Sequence, residues 1–324
     1  MTTSVAFFIA YDKQGIRTMS VPVAFLGVIL IWSTTPLAIK WSGEGAGFIF
    51  GVSLRMAIGT FLCLMLLLIL RKPLPWHRAA RHSYLAAAFG IYVSMTLVYW
   101  GALYIPSGLI SVLFGLTPLL TAVLAFFILG ERHLNFSKIG GIVLGIGGLG
   151  IIFHDSLTQT GQLQGILLVL AAVLVHVMSA IGVKRVNAGL PSLSLTTGAL
   201  LHAMPAYALT WWLVDGQLPT GIPTRSLYAI IYLGVMGSVV GFILYFYILK
   251  HVQATHVALL TLVTPVLALF FGYRFNHEQI TPWIGGGTLL ILLGMTFFQW
   301  GHRLRVRRRL NKVSPGLEGP PQKF

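Results

Sequence analysis

Apolar runs long enough to cross a membrane recur along the chain, separated by short polar connections. A helix needs about 20 apolar residues to cross roughly 30 Å of hydrocarbon, and about ten runs approach that length. The runs are Val21–Ile39, Gly47–Leu70, Ser83–Leu103, Ser107–Leu129, Ser137–Phe153, Gln162–Val183, Ser192–Val214, Leu227–Leu249, Thr255–Tyr273 and Pro282–Trp300. This pattern predicts an all-α integral membrane protein with about ten transmembrane helices.

The amino-acid composition agrees with this prediction. Hydrophobic residues make up 56% of the 324 residues and charged residues only 9%, whereas a soluble domain carries about 25% charged residues. A buried core explains one or two long apolar runs, but it does not explain a whole series of them. The composition therefore excludes a soluble globular protein.

One phrase of the sequence occurs twice. Gly115–Glu131 reads GLTPLLTAVLAFFILGE and Leu262–Glu278 reads LVTPVLALFFGYRFNHE, so both place a Thr-Pro pair inside an apolar run that ends at a glutamate. Leu30–Lys40 aligns in the same way with Leu174–Lys184. Each half then holds about five spans, and an odd number forces the second half into the membrane the other way up. We therefore expect two inverted five-helix repeats, as in many secondary transporters.

Lysine and arginine are distributed unevenly between the connections. The chain has 22 lysines and arginines. With the N-terminus placed inside, the ones that fall in outside connections are Lys40, Arg225 and Arg274, and Arg55 lies within a span. The positive-inside rule then places both termini in the cytoplasm. The basic tail, residues 301–324, lies beside the inner leaflet, where anionic lipid attracts it. Lipid contact is expected there, and nucleic-acid binding is not.

Four sections of the chain follow from these patterns. We expect a cytoplasmic N-terminal tail at residues 1–20, a first repeat with spans 1–5 at residues 21–153, a second repeat with spans 6–10 at residues 162–300, and the basic cytoplasmic tail at residues 301–324. The expected location is a bacterial cytoplasmic (inner) membrane.

Several short motifs resemble the EamA-type transporters of the drug/metabolite transporter superfamily. They are Trp32-Ser33 in the first span, Arg55 in the second, Pro118 in the fourth, Gly130–His133 (GERH) after it and a glycine-rich fifth span. The resemblance covers nearly all of Val21–Trp300, and Arg274–Glu278 (RFNHE) departs from the family's usual glycine-glutamate. The resemblance implies a ten-helix transporter, commonly an exporter of amino acids or related small metabolites.

Polar and aromatic residues within the spans are the candidate substrate ligands. They are Trp32, Ser33, Thr34, Tyr92, Tyr99, Thr117, His176, Ser179, Tyr245 and Thr264. Trp32 aligns with His176 between the two halves, so we expect these two residues to face each other across a central cavity. Tyr92, Met95 and Tyr99 recur at helical spacing and are expected on one face. Packing between helices is the alternative role for each candidate.

One arginine and two prolines within the spans are further candidates. Arg55 either contacts a substrate carboxylate or pairs with a helix end. Pro118 and Pro265 each remove an N–H and leave the carbonyl of Phe114 or Thr261 without its helical partner. The two prolines are expected to act as gating hinges near the binding site, or else to form static kinks inherited twice by duplication.

Signals for an enzyme or a metal site are weak. Gly145–Gly150 (GIGGLG) matches GxGxxG but lies inside an apolar span, where Gly141 and Gly145 are typical of close helix packing. The single cysteine, Cys63, excludes an intrachain disulfide and a cysteine metal cluster. No HExxH motif occurs, and we expect no catalytic residues, metal or cofactor.

The acidic residues are all expected in connections or tails, which argues against proton coupling through a membrane-embedded carboxylate. They are Asp12, Glu44, Glu131, Asp155, Asp215, Glu278 and Glu318.

The sequence therefore predicts a secondary transporter that exports amino acids or similar small amphipathic metabolites by alternating access. The alternatives are a carrier for sugars or organic cations, and a membrane-embedded enzyme or lipid scramblase. The expected partners are a small-molecule substrate and the lipid bilayer. No ATP-binding domain is recognised in this chain.

Overall fold

The computed structural model describes most of the chain between Val21 and Val313, together with a short N-terminal hairpin. The described residues are 9–11, 17–19, 21–128, 136–156, 161–251 and 260–313. The Gly130–His133 motif, the predicted start of the ninth span at Thr255, and residues 314–324 of the basic tail lie outside them.

Helices account for nearly all of the described chain. They are α1 (Val21–Ser42), α2 (Phe48–Ile69), α3 (Arg78–Gly101), α4 (Ser107–Phe114 followed by Thr117–Ile128), α5 (Phe136–Ser156), α6 (Gln162–Val186), α7 (Ser192–Val214), α8 (Thr224–His251), α9 (Leu260–Asn276) and α10 (Pro282–Val313). A two-stranded antiparallel hairpin, β1 (Ile9–Tyr11) and β2 (Arg17–Met19), precedes them. The apolar pattern does not predict this hairpin, because its strands are only three residues long.

Among the described residues, seven helices are long and apolar enough to cross a membrane, namely α1 to α6 and α8. Leu262–Asn276 in α9 and Pro282–Phe298 in α10 are apolar but shorter. α7 has 23 residues, but His202, Pro205 and several hydroxyl side chains make it more polar than its neighbours. The prediction of a helical membrane protein is confirmed by these elements.

Three details differ from the predicted boundaries. α4 is interrupted just before Pro118, which has no N–H to continue the helical hydrogen bonds. α10 continues past the predicted end of its span at Trp300 to Val313, because the arginines and leucines that follow are good helix formers. Asp155 lies in the last turn of α5 and not in a connection.

The contacts between helices follow a two-fold pattern. α1 packs against α8 and α9, and the corresponding helix of the second half, α6, packs against α3 and α4. α2 packs against α8, and its counterpart α7 packs against α3. The pairs α2–α7, α4–α9 and α5–α10 join the halves directly. Exchanging each helix with the one five places further along therefore preserves these contacts, as expected for a duplicated chain.

Irregular helical turns also occur at corresponding places. α3 contains a π-helical segment at Gly90–Ser94, and α8 contains one at Leu233–Val240. A π segment changes the helix register and is frequently found at functional sites. The duplication therefore extends to local backbone geometry.

The glycine-rich fifth span packs closely against α10. A Cβ at Gly141 would lie 2.6 Å from the carbonyl oxygen of Gly294, and one at Gly148 would lie 2.6 Å from that of Gly287. Gly145 instead faces α4. The close approach of these backbones requires glycine at Gly141 and Gly148, so helix packing accounts for these positions of the glycine-rich span.

Candidate functional site

A cavity of about 570 Å³ lies between the two halves, within the size range of small-molecule sites. Residues of both halves line it, including Trp32 of α1, Pro118 of α4, His176 of α6, Tyr245 of α8 and Thr264 of α9. The two-fold contact pattern brings these helices together. The cavity is therefore the candidate substrate site.

Four ring-bearing side chains from four helices form a cluster on the cavity wall, which we call the aromatic cluster: Trp32, Phe114, His176 and Tyr245. The ring centroids of Trp32 and His176 are 6.4 Å apart with the planes at 77°. Tyr245 lies 5.3 Å from Trp32 and 5.5 Å from His176, and Phe114 lies 5.8 Å from His176. Edge and tilted arrangements of this kind are favourable for aromatic rings. Amphipathic rings around one space suit a solute with both apolar and polar parts.

The structure shows how the first proline is accommodated. Because Pro118 has no N–H, the Phe114 carbonyl loses its helical donor. The Thr117 hydroxyl donates to that carbonyl at 2.5 Å, and the Thr121 hydroxyl donates to the Thr117 carbonyl at 2.7 Å. Thr117, Pro118 and Thr121 all line the cavity. The threonine of the Thr-Pro pair therefore replaces the hydrogen bond that the proline removes, at the cavity wall.

The second Thr-Pro pair is placed differently. Thr264 lines the cavity, whereas Pro265 is buried and is not among the lining residues. α9 continues as a helix through Pro265, while α4 is interrupted before Pro118. The two prolines match in sequence but not in local backbone structure.

Arg55 is the charged residue within a span that the sequence singles out. It is 1% exposed and lies on the cavity wall. Its Nε donates to the Ser238 hydroxyl at 3.0 Å and its Nη1 to the Tyr99 hydroxyl at 3.4 Å. Lys138 and Lys184 also line the cavity, and none of its described lining residues is acidic. The described wall therefore carries only basic charge.

Several predicted ligands lie away from the cavity wall. The Ser33 hydroxyl donates to its own helix at the Ile29 carbonyl, 2.6 Å away. The Thr34 hydroxyl lies 2.6 Å from the Tyr232 hydroxyl. Consecutive residues of a helix point about 100° apart. With Trp32 on the wall, its two neighbours therefore point elsewhere.

Tyr92, Met95 and Tyr99 of α3, which were expected on one helix face, do not all line the cavity. Met95 lines the cavity, whereas Tyr92 and Tyr99 are not among the lining residues. The Tyr92 hydroxyl lies 2.5 Å from that of Thr210 on α7, and Tyr99 contacts Arg55. The π segment at Gly90–Ser94 changes the spacing on which that expectation rested.

Ser179 is the remaining predicted ligand, and it does line the cavity. Its hydroxyl donates to the Ala86 carbonyl at 2.8 Å. Sequence reasoning missed the side chains of Phe114, Phe242 and Phe246, which also line the cavity. Ordinary phenylalanines in apolar spans give no signal that separates a cavity wall from a lipid-facing surface.

Lysine side chains line the cavity at one end of the helices and, among the described residues, not at the other. Lys138 near the start of α5 and Lys184 near the end of α6 lie on its wall, and we call this the Lys184 end. Lys40 occupies the corresponding place in α1 but is not on the wall. We call its end of the molecule the Lys40 end.

A polar network joins the two halves at the Lys40 end. Glu278, with a side chain 8% exposed, accepts hydrogen bonds from Ser107 at 2.9 Å and from the Asn276 amide at 2.8 Å. Lys40 Nζ lies 4.0 Å from the same carboxylate. The Trp41 indole donates to Asn276 at 2.9 Å. This Glu278 network connects α1 and α4 of the first half with the end of α9.

A second ion pair lies nearby on a more exposed surface. Arg225, at the start of α8, pairs with Glu44 and lies 5.0 Å from the ring centre of Trp41. The sequence marked Arg274–Glu278 only as a departure from the family pattern. No sequence signal showed that this loop meets α1.

Comparisons with known proteins agree with the geometry. The sequence model of the EamA-like transporter family matches residues 19–154 and 163–299. "Uncharacterized transporter YoaV" of Bacillus subtilis is 29% identical over 86% of this chain and 96% of its own length. "Protein PagO" of Salmonella typhimurium is 24% identical over 82% of this chain and 89% of its own length.

Two further similarities are informative. "Probable terminal-alkyne amino-acid exporter" of Streptantibioticus cattleyicolor is 26% identical over 90% of this chain and 97% of its own length. A crystal structure 20% identical in sequence covers 90% of this chain and 98% of its own, with a TM-score of 0.61. At that identity the second similarity shows the fold alone.

Proposed function

Because this chain belongs to the EamA-like transporter family, we propose that it is a secondary transporter that exports amino acids or similar small amphipathic metabolites by alternating access. The observation that carries the proposal is the cavity between two matching halves, whose described wall includes Lys184 and not its counterpart Lys40. Secondary transporters built from repeats bind substrate between the repeats and open the site to each side in turn.

The proposed topology completes this description. We propose that α7, α9 and α10 cross the bilayer together with the seven long apolar helices, which gives two inverted five-helix repeats. The charge asymmetry supports cytoplasmic termini in a bacterial cytoplasmic membrane, with the basic tail on anionic lipid. The Lys184 end then faces the cytoplasm, and we propose that the cavity opens there.

The chemistry of the wall supports the proposed substrate class. The aromatic cluster offers amphipathic surfaces, and the hydroxyls of Thr117, Ser179 and Thr264 lie on the same wall. A relative named as an amino-acid exporter matches nearly the whole chain at low identity. Small zwitterionic or weakly polar metabolites suit such a wall better than strongly hydrated sugars.

The proposed topology can be tested by labelling single cysteines in a Cys63→Ala background. A membrane-impermeant thiol reagent added outside intact cells should label Asp155→Cys and Asp215→Cys. Lys138→Cys should react only after the cells are permeabilised, and outside labelling at that position would overturn the scheme.

The proposed function is tested by growth of a bacterial strain that overexpresses the protein. The panel contains toxic amino-acid analogues, toxic sugar analogues and toxic organic cations, and a strain with the Trp32→Ala variant at equal membrane level is the matched control. Protection against amino-acid analogues alone supports the proposal. Protection against only sugars or cations would replace it with that substrate class. Lipid movement in reconstituted vesicles without protection in cells would favour a scramblase.

A further inference from the structure

Arg55 is a buried cation whose hydrogen-bond partners in the described part of the chain are uncharged. It lies on α2, is 1% exposed, and is bonded to the hydroxyls of Ser238 and Tyr99. A guanidinium carries five N–H donors, so two hydroxyls leave part of it unmatched. A charged group buried without a counter-ion is strongly unfavourable in a low-dielectric interior. Such residues in membrane-spanning helices mark substrate or ion pathways.

The described acidic side chains lie away from Arg55. They are Glu44, Asp215 and Glu278. Glu44 pairs with Arg225, and Glu278 belongs to the network at the Lys40 end. Asp215 follows the last residue of α7. None of these carboxylates is a partner of the Arg55 guanidinium.

The guanidinium is held in place and directed to the cavity. Ser238 belongs to the π segment of α8 and Tyr99 to α3, so the two bonds join Arg55 to elements of both halves. A Cβ at Gly237 would lie only 2.9 Å from Arg55 Nη2, and the absence of a side chain there leaves room for that nitrogen. Both Arg55 and Gly237 line the cavity. The arrangement is a positioned cation on a substrate-sized space.

The two halves differ at this point. α7, the counterpart of α2, carries no Asp, Glu, Lys or Arg. Arg55 comes about two turns after the start of α2, toward the Lys40 end and away from Lys184. A ligand with one anionic end would therefore be held in one orientation.

We propose that Arg55 binds the carboxylate of the transported solute, while the aromatic cluster holds the apolar part. Arginine matches a carboxylate with two parallel N–H···O bonds, which gives both strength and orientation. The proposal rests on the proposed transport function and narrows it, because neutral sugars and organic cations that lack a carboxylate are then excluded.

Binding to the purified full-length protein tests this proposal with three matched probes. L-Phenylalanine has a carboxylate and an amine, L-phenylalaninamide keeps the amine but lacks the carboxylate, and 3-phenylpropionate keeps the carboxylate but lacks the amine. Isothermal titration of the wild-type protein should detect L-phenylalanine and 3-phenylpropionate, and the amide should bind at least tenfold more weakly. Binding of the amide as tight as that of the acid, or no binding by any probe, would overturn the proposal.

Variants locate the effect at the guanidinium. Arg55→Lys keeps the charge but loses the two-bond geometry, so affinity for 3-phenylpropionate should fall about tenfold. Arg55→Gln should lower it further, and Gly237→Ala should lower it by displacing Nη2. Thr60→Ala is the matched control, because Thr60 is buried on the same helix, bonds to its own backbone and does not line the cavity. Equal binding by wild type and Arg55→Gln would contradict the assignment.

Failure of the Arg55 proposal can be distinguished from failure of the proposed export function. Binding of both carboxylates without protection in the growth panel would leave the anion site standing and reject export. Protection against toxic solutes that lack a carboxylate would leave export standing and reject the role of Arg55.

Discussion

The Lys40 end and the Lys184 end of the molecule are built from corresponding sequence, and the described residues differ between them. Lys40 and Lys184 are the last residues of the two aligned segments, which lie in α1 and α6. Around Lys40, the Glu278 network joins the two halves. Lys184 lies on the cavity wall, and Glu131, the counterpart of Glu278, lies outside the described residues. Under the alternating access proposed above, the two ends are expected to differ in any one state.

The Glu278 network and the cavity wall are also made of different groups. The Glu278 network bonds helices to one another and leaves the cavity wall to aromatic rings, hydroxyls and Arg55. If the ends alternate, breaking the network should change which end is open, whereas changing the aromatic cluster should abolish transport from either end. The following predictions test that distinction, from the largest effect to the smallest.

Removal of a ring from the aromatic cluster is expected to have the largest effect. Trp32→Ala deletes a ring that contacts two others of the cluster, and His176→Ala deletes one that contacts three. Pairs of aromatic rings contribute about 1 kcal/mol beyond their buried area. Transport should fall at least tenfold while the protein level in the membrane stays near wild type. Trp212→Ala is the control, since Trp212 on α7 is 68% exposed. Normal transport by both cluster variants would show that substrate binds elsewhere.

A change at Glu278 is expected to open the Lys40 end. Glu278→Gln keeps the shape but removes the charge that accepts from Ser107 and Asn276, and a hydrogen bond to a charged group contributes about 2 kcal/mol. The ratio of outward-open to inward-open protein should rise about 30-fold.

The measurement for Glu278→Gln is labelling of Ile39→Cys in the Cys63→Ala background by an outside, membrane-impermeant thiol reagent. Ile39 lies on the cavity wall next to Lys40 and is 3% exposed. Labelling should become faster in the Glu278→Gln protein. If the rate stays the same, the network is a static brace.

Restoring an N–H at each proline is expected to give smaller, opposite effects. Pro118→Ala restores the N–H in the interrupted α4, where the Thr117 hydroxyl now satisfies the Phe114 carbonyl. Pro265→Ala restores the N–H inside the continuous helix α9. If the prolines are hinges of alternating gates, outside labelling of Ile39→Cys should rise a few-fold in one variant and fall in the other, with slower transport in both. Equal shifts, or none, would leave two inherited kinks.

Much of this structure could be predicted because the bilayer constrains it strongly. The apolar runs predict the helices. The sequence repeat predicts that Trp32 faces His176, and their ring centroids are 6.4 Å apart. Which way a side chain points could not be predicted as well. Ser33 and Thr34 lie beside Trp32 in the sequence, yet the helical turn directs their hydroxyls to other partners.

A local irregularity and a long-range contact account for other features that the sequence did not predict. The π segment in α3 changes the register between Tyr92 and Tyr99, and apolar periodicity alone does not show such a segment. The contact of Glu278 with Ser107 joins residues 171 positions apart. Nothing in a single sequence specifies that contact, because it depends on how the two halves pack.

The smallest effect is expected at the exposed ion pair of the Lys40 end. Glu44 and Arg225 are bonded, but their side chains are 38% and 51% exposed, and surface pairs contribute about 0 to 1 kcal/mol. Glu44→Gln should therefore change outside labelling of Ile39→Cys less than twofold, in contrast to Glu278→Gln. Raising the salt concentration should reduce even that change, since screening acts mainly on exposed charges. An effect as large as that of Glu278→Gln would mean that the exposed pair, acting through Arg225 on the Trp41 ring, closes this end of the molecule.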